Sequence, residues 1–270
     1  MIIPQAWFIC YNSAMRINVV YNKQISGYKK ALETLENALI ENKIEFKSFD
    51  IDKLEPFGEF TFVIGGDGTL LKCARFYAGL PVLGINLGRL GFLAQAGVEE
   101  INKAVNAVKA GEYSTEERLM LESEEAVALN DFVIKGSMTS RTSKFYLEIN
   151  EKFVCDYIAD GLIIATPTGS TAYGLSAGGP VLYPTLDALV IVPICPHTLN
   201  ARPLVVPIDE TIKVKTSDKL LSVAVDGYDT TENVKEILIK TSSKKAVLAF
   251  LNDYGFYSVL RNKLHWGVSP

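Results

Sequence analysis

Long apolar runs are missing from this 270-residue chain. Its most apolar stretches, such as Ala188 to Cys195 and Gly161 to Ala165, fall far short of the roughly 20 residues that a membrane-spanning helix needs. No membrane partner is expected. The N-terminal MIIPQAWFICYNSAM has neither the basic n-region nor the small-residue cleavage site of a secretory signal. Because Met15 directly precedes a clean strand pattern, residues 1–14 read as an extension or an upstream start. Cysteine is scarce, and Cys10, Cys73, Cys155 and Cys195 lie far apart with no C-x-x-C. That excludes a disulfide framework and a thiolate zinc site, and it points to reduced thiols in a cytoplasmic protein. An excess of positive charge is also lacking: 27 Lys and Arg against 31 Asp and Glu give −4 and a pI near 5.4, so bulk charge does not suit a nucleic acid. The standard nucleotide loops are absent as well. No Gly is followed by Lys, which removes the P-loop, and Gly66-x-Gly68 meets Leu71 where the dinucleotide fingerprint needs a third Gly.

What is present suits a folded protein with a sizeable core: 48% hydrophobic residues, 21% charged and a mean hydropathy of +0.16. From Arg16 to about Gly111, short apolar runs alternate with helical periodicity. Strands are predicted at 16–21, 46–51, 60–64 and 81–86, and helices at 26–43, 69–77 and 98–109, with Gly111 placed to stop the last. Strands separated by helices mean a mostly parallel sheet covered on both faces. After Gly111 many short strands at close spacing, with a hairpin corner at Asn150-Glu151, predict an antiparallel sandwich. The fold class is therefore α/β followed by all-β. An α/β domain at 1–112, a sandwich-like domain at 113–250 and a helical tail at 251–270 that packs back on the first domain are expected, with the active site in the cleft.

The strongest local signal is Phe62-Val63-Ile64-Gly65-Gly66-Asp67-Gly68-Thr69-Leu70-Leu71-Lys72. An apolar strand runs into three glycines around one aspartate and then into a helix. Glycines there allow positive φ and a close approach of backbone N–H groups to an anion, and a helix start favours phosphate. A carboxylate at such a spot would repel phosphate, so it makes sense facing a substrate hydroxyl whose proton it takes. The plainer reading makes Asp67 a helix N-cap in a tight turn.

A second signal follows the strand at 161–165: a long loop through Thr166-Pro167-Thr168-Gly169-Ser170-Thr171-Ala172-Tyr173-Gly174-Leu175-Ser176 to Pro180, rich in Gly, Ser and Thr. Its hydroxyls and amides suit ribose, diphosphate and a base edge, whereas a solvated loop of this length is seldom left without a task. Gly174-Leu175-Ser176-Ala177-Gly178 also matches the nucleophile elbow of esterases, but that elbow needs a strand immediately before the serine and a later histidine. Ser176 lies about ten residues past its strand, and His197 and His265 are the only imidazoles. Asn130-Asp131 interrupts strand-like sequence and either turns the chain or grips a ribose diol. Arg141 reads as a solvated side chain or a ligand contact, and Asp226-Gly227 as a hairpin turn.

The order of these segments is more specific than any one of them. Gly65-Gly66-Asp67-Gly68-Thr69, then 86–93 (NLGRLGFL), Leu129-Asn130-Asp131, Asp160-Gly161, Thr166 to Tyr173, Pro196-His197-Thr198-Leu199 and Arg202-Pro203-Leu204 resemble the NAD kinase family over nearly the whole chain. Gly-Gly-Asp-Gly alone is shared with lipid and sugar kinases, so another small-molecule or lipid kinase stays as the alternative. A dinucleotide-binding module without catalysis is a further rival, though it gains nothing from a carboxylate aimed at phosphate. The resemblance implies transfer of a phosphoryl group from ATP or polyphosphate, with Mg²⁺ or another divalent cation, to the 2′-hydroxyl of the adenosine ribose of NAD. It implies Asp67 as proton acceptor and no protein metal cage. Gly65, Gly66, Gly68, Thr69 and Lys72 would lie along the nucleotide phosphates, Asn130 and Asp131 at the ribose, Arg141 at a further nucleotide contact and Asp160 at the nicotinamide end. Thr168, Thr171, Ala172, Tyr173, Gly174, Leu175 and Ser176 would wrap the dinucleotide. A homodimer or homotetramer is implied too. Two positions depart from the family pattern: Asp131 stands where Glu is common, and Ile158 where a basic residue is common, which leaves the preference between NAD and NADH open.

Overall fold

A computed structural model describes residues 15–88, 91–93, 96–124, 126–136, 142–216, 220–227, 229–251 and 255–265; the expected extension at 1–14 lies outside them. Arg16–Tyr21 forms a strand because Ile17, Val19 and Val20 are β-branched and bury on both faces of a sheet. It pairs in parallel with Glu45–Asp50 and Phe60–Ile64. The sheet then runs through Pro81–Asn86 and Ala246–Phe250 to Ser114–Arg118, the last antiparallel, while the short Ala96–Gly97 pairs in parallel with the end of Pro81–Asn86.

Three helices cover this sheet: α1 (Tyr28–Glu41), α2 (Asp67–Phe76) and α3 (Ile101–Ala110). Alternation along the strands divides them between faces. Ile17, Val19, Phe60 and Phe62 meet Leu35 and Leu39 of α1 and Ala104 and Val108 of α3. Val20, Val63 and Val82 point the other way, onto Leu70, Leu71 and Ala74 of α2. Gly111 ends α3 with φ 72°, a left-handed stop that suits glycine.

The second unit holds two antiparallel sheets. One runs Lys152–Ala159, Ser143–Ile149, Ile212–Thr216, Glu236–Thr241, Leu121–Glu122, Val127–Ala128, and the other Leu204–Pro207, Ala188–Ile194, Gly161–Ala165, Asp131–Gly136, Leu221–Val225, Asp229–Val234. Phe132, Ile134, Leu162 and Ile164 of the second sheet face Phe145, Leu147, Ile212 and Val214 of the first across the core. Asn150 and Glu151 both have positive φ at the expected hairpin corner. Gly161–Ala165 and Ala188–Ile194 are buried along their whole length, because the outer face of their sheet is also covered, with Leu182 over Ile163, Val190 and Val192. That cover is the hydroxyl-rich loop, which contains the short helix α4 (Tyr173–Ser176).

Two strands stand outside the unit in which the expected domain bounds put them. Ser114–Arg118 and Ala246–Phe250, assigned by sequence to the second unit, are neighbours in the first sheet, with Arg118 opposite Ala246. A period of two identifies a strand but not its partner 128 positions away. The tail forms α5 (Phe256–Leu264), whose Phe256 ring stands edge-on to Tyr183, 5.2 Å between centroids. No described helix is long and apolar enough to cross a membrane.

Candidate active site

Phe60–Ile64 delivers the chain to the carboxyl edge of the parallel sheet, where Gly65-Gly66 turns it into α2. Gly65 is required by a close approach, since a Cβ there would stand 2.6 Å from Thr69 Oγ1. The expectation of positive φ in this turn is not met: neither Gly65, Gly66 nor Gly68 adopts it. Asn22 Nδ2, just past the first strand, donates to Thr69 Oγ1 at 3.2 Å and ties the start of α2 to its neighbour.

Asp67 is the first residue of α2, after an N-cap at Gly66, so the N-cap reading of its side chain falls. Its carboxylate instead accepts from two backbone amides of the loop after Pro81–Asn86, Phe92 N at 2.7 Å and Leu93 N at 3.2 Å. These bonds fix the direction of a partly exposed acid at the end of a strand. Gly91 makes the approach possible, because a Cβ there would lie 1.9 Å from Asp67 Oδ1. The role of Gly91, Phe92 and Leu93 was invisible in the sequence: a backbone amide carries no side-chain signature. Lys72, expected at the phosphates, places Nζ 3.1 Å from Asp52 Oδ1 with both side chains about half exposed.

On the other side stands Asn130-Asp131, at the head of Asp131–Gly136. Leu129, the residue before it, is fully buried in one cluster with Leu70, Leu71 and Ala74 of α2 and with Leu93, so the pair sits against the helix that begins with Asp67. The hydroxyl loop is locked onto the same backbone. Thr166 N donates to Asn130 O at 2.9 Å, Thr166 Oγ1 donates to Leu129 O at 2.6 Å, and a Cβ on Gly169 would stand 2.1 Å from Asn130 O.

The loop is therefore not a solvated one. Thr166, Thr168 and Ser170 are buried, and Ser170 Oγ donates to Pro167 O and accepts from Leu182 N. Thr168 Oγ1 lies 3.5 Å from Nη1 of the fully buried Arg118. Those three hydroxyls brace the loop and anchor it to its neighbours, which leaves Thr171, Ala172, Tyr173, Leu175 and Ser176 as its partly or fully exposed members, with Gly174 buried beneath.

The residue that sequence reasoning undervalued is Asp226. Asp226 and Gly227 both have positive φ at the end of Leu221–Val225, the backbone of a primed hairpin turn. The side chain does not face solvent. Its Oδ1 accepts from Asn130 N at 2.7 Å and Asp131 N at 3.1 Å, and its Oδ2 accepts from Leu129 N at 3.0 Å. Arg75 of α2 places Nε 3.4 Å from Asp226 Oδ2 and donates from Nη1 to Val127 O at 2.8 Å. Burial raises the Asp226 carboxyl, while the three amides and Arg75 favour its charged form. Asp131, also buried, is pushed up to about 7, by burial first and by the charge of Asp226 second.

Of the remaining expected contacts, one lies outside the described residues and one stands apart from this cluster. Arg141 lies outside the described residues. Asp160 is exposed beside Gly161, which pairs with Lys135, whereas Asp131 pairs with Ala165. Within one chain it is thus at the opposite end of that strand, roughly 13 Å away or more. His197 is at Asp160's end too, its backbone N–H on Ile158 O, and seven residues intervene between Ala165 and the start of α4 at Tyr173. A serine elbow next to a histidine is not assembled.

Comparisons with known proteins agree with the order of the motifs. Residues 8–113 match the ATP-NAD kinase N-terminal domain and residues 129–250 the ATP-NAD kinase C-terminal domain. An NAD kinase of Pseudomonas putida is 44% identical over 225 residues, 77% of this chain and 76% of that protein. An NAD kinase of Clostridium tetani is 39% identical over 268 residues, 92% of this chain and 98% of its own. The crystal structure of an NAD kinase from Archaeoglobus fulgidus in complex with ATP superposes with a TM-score of 0.79 at 29% identity, covering 93% of this chain and 99% of that one.

Proposed function

Because this chain belongs to the NAD kinase family, we propose that it moves the terminal phosphoryl group of ATP to the 2′-hydroxyl of the adenosine ribose of NAD, with Asp67 as the proton acceptor. The observation that carries this reading is a carboxylate at the carboxyl edge of a parallel sheet, oriented by the Phe92 and Leu93 amides. It lies on the helix that packs against Leu129, next to Asn130-Asp131. The lipid-kinase alternative rests on the glycine motif alone, while the family match spans both units.

Phosphoryl transfer passes through a loose transition state in which positioning and charge neutralisation outweigh nucleophile activation. Amides of the Gly65–Gly68 turn and the start of α2 face the donor phosphates. Asn130 and Asp131 hold the acceptor ribose, and the exposed members of the loop from Thr171 to Ser176 close over the dinucleotide. As the 2′-oxygen bonds to the γ-phosphorus, the bond to the bridging oxygen breaks, ADP leaves, and the hydroxyl proton passes to Asp67. A carboxylate has about four acceptor positions, so one group can take amide bonds and a hydroxyl. Proton acceptance of this kind is worth about 10²–10⁴-fold.

Among the described residues no group of three or more His, Cys, Asp or Glu converges as a metal cage. Mg²⁺ commonly enters on nucleotide phosphates with one or two protein carboxylates, and Asp67 is a carboxylate at the phosphate end. The cation supplies charge neutralisation on the transferring group. Lys72 would have to leave Asp52 to reach the phosphates, and no step of the transfer relies on it.

The test is purified protein with NAD, Mg²⁺ and either ATP or polyphosphate, coupled to an NADP-specific dehydrogenase. NADP formation with ATP, and none from NAD whose adenosine lacks the 2′-hydroxyl, is the expected result. Phosphorylation of the 2′-deoxy analogue contradicts the assigned acceptor.

A further inference from the structure

The two candidate groups of the site, Asp67 and Asn130-Asp131, belong to units of different architecture, and something must set the distance between them. Helix α2 starts at Asp67 and carries Arg75 eight residues on, about 12 Å along its axis. There the guanidinium meets the Asp226 carboxylate, whose side chain has no exposed surface, and also bonds Val127 O. Asp226 in turn gathers three successive amides, Leu129, Asn130 and Asp131, and its own N–H returns to Asp131 O at 3.0 Å. The path from the acid to the ribose grip is thus one helix, one ion pair and one carboxylate clasp, with no flexible link.

We propose that Arg75 and Asp226 are positioning residues for the transfer: the pair fixes Asn130-Asp131, and through them the acceptor nucleotide, relative to Asp67. The proposal rests on the reading of Asn130 and Asp131 as the ribose grip. Charge-assisted bonds to consecutive amides are the short, directional kind that hold a turn in one conformation. Asp226 is also poorly suited to any solvent-facing task, since its side chain has no exposed surface and its carboxylate accepts from three protein amides. A purely structural pair would set the stability of the contact between units and leave the affinity of a folded enzyme for one substrate over the other unchanged.

Steady-state kinetics of Asp226→Asn, Arg75→Gln and Arg75→Lys, each run below its melting temperature, tests this. Asn tolerates the left-handed backbone at position 226, so Asp226→Asn removes charge and one acceptor without straining the turn. Arg75→Gln is the second probe where Asp226→Asn does not fold. We expect both to raise KM for NAD at least ten-fold and lower kcat, with KM for ATP within two-fold, and Arg75→Lys to recover most of the loss. Folded variants with normal KM for NAD, or with both KM values rising in parallel, overturn the proposal. Asn130→Ala separates the two levels. A raised KM for NAD in Asn130→Ala with normal Arg75 and Asp226 variants removes the positioning pair alone, whereas normal kinetics in Asn130→Ala removes the ribose grip and the pair together.

Discussion

The two halves of the candidate site handle carboxylates in opposite ways. Asp67 is partly exposed, sits on one contiguous strand–turn–helix segment, and takes its bonds from two amides 25 and 26 residues further along the chain. Asp131 is 4% exposed and lies in a knot where three remote segments, carrying Arg75, Thr166 with Gly169, and Asp226, all meet the backbone at 127–131. The first half concentrates chemistry in a single turn. The second stores it in long-range packing, and its carboxyl titrates near 7 because burial and a like charge penalise ionisation. An acid kept accessible suits a proton acceptor, and a buried pair held by backbone suits a rigid grip.

The sharpest way to break the contrast is Asp67→Asn. NAD binding should survive while kcat falls by about 10²–10⁴-fold, measured by the coupled assay; near-normal turnover would make the two halves equivalent.

Asp131→Asn probes the other half through stability. The Asp131 carboxyl titrates near 7 in the folded chain against an ordinary value of 3.8. The folded state therefore binds more protons between those limits, and stability falls as pH rises through them. The penalty is absent below about pH 4 and complete above about pH 7, on the order of 4 kcal/mol at most at 1.36 kcal/mol per pH unit. Urea melts of Asp131→Asn should show a gain over the parent at pH 8 that shrinks towards pH 4. A difference that is flat with pH contradicts the buried charge.

Gly91→Ala comes next. Its methyl would press within 1.9 Å of Asp67 Oδ1, and displacing a reacting group by about 1 Å costs up to about 10²-fold. The expected outcome is a fall in kcat with little change in KM for ATP; unchanged kcat would mean that the amide cradle does not aim the acid. Lys72→Ala should have the smallest effect. An exposed pair with Asp52 contributes less than about 1 kcal/mol, so thermal melts should barely move and KM should change only a few-fold. A large loss of kcat would show that the ammonium leaves Asp52 for the transferring phosphoryl group.

Legibility in the sequence followed the same divide. The strand into Gly65–Gly68, the parallel sheet with its helices and the stop at Gly111 were all readable, because each depends on neighbours in the chain. Gly91 was not, since its need arises from a side chain 24 residues earlier. Asp226 has the sequence of a plain Asp-Gly hairpin turn and its backbone forms one, but nothing local reveals a carboxylate bent back onto residues 95 to 97 positions before it. Thr166 and Ser170 look like ligand hydroxyls in sequence, yet in the fold they are buried struts of the loop. Arg118, between Phe250 and Thr168, had no signal at all. The pairing of Ser114–Arg118 with Ala246–Phe250 failed to appear for the same reason.

The central claim is that Asp67 receives the proton of the adenosine 2′-hydroxyl. A crystal structure with NAD and an unreactive ATP analogue tests it most directly. The expected result is an Asp67 carboxylate oxygen within about 3.2 Å of the ribose 2′-oxygen, the reach of proton transfer. A ribose bound with its 2′-oxygen beyond that reach, while the carboxylate stays committed to the Phe92 and Leu93 amides, would contradict it.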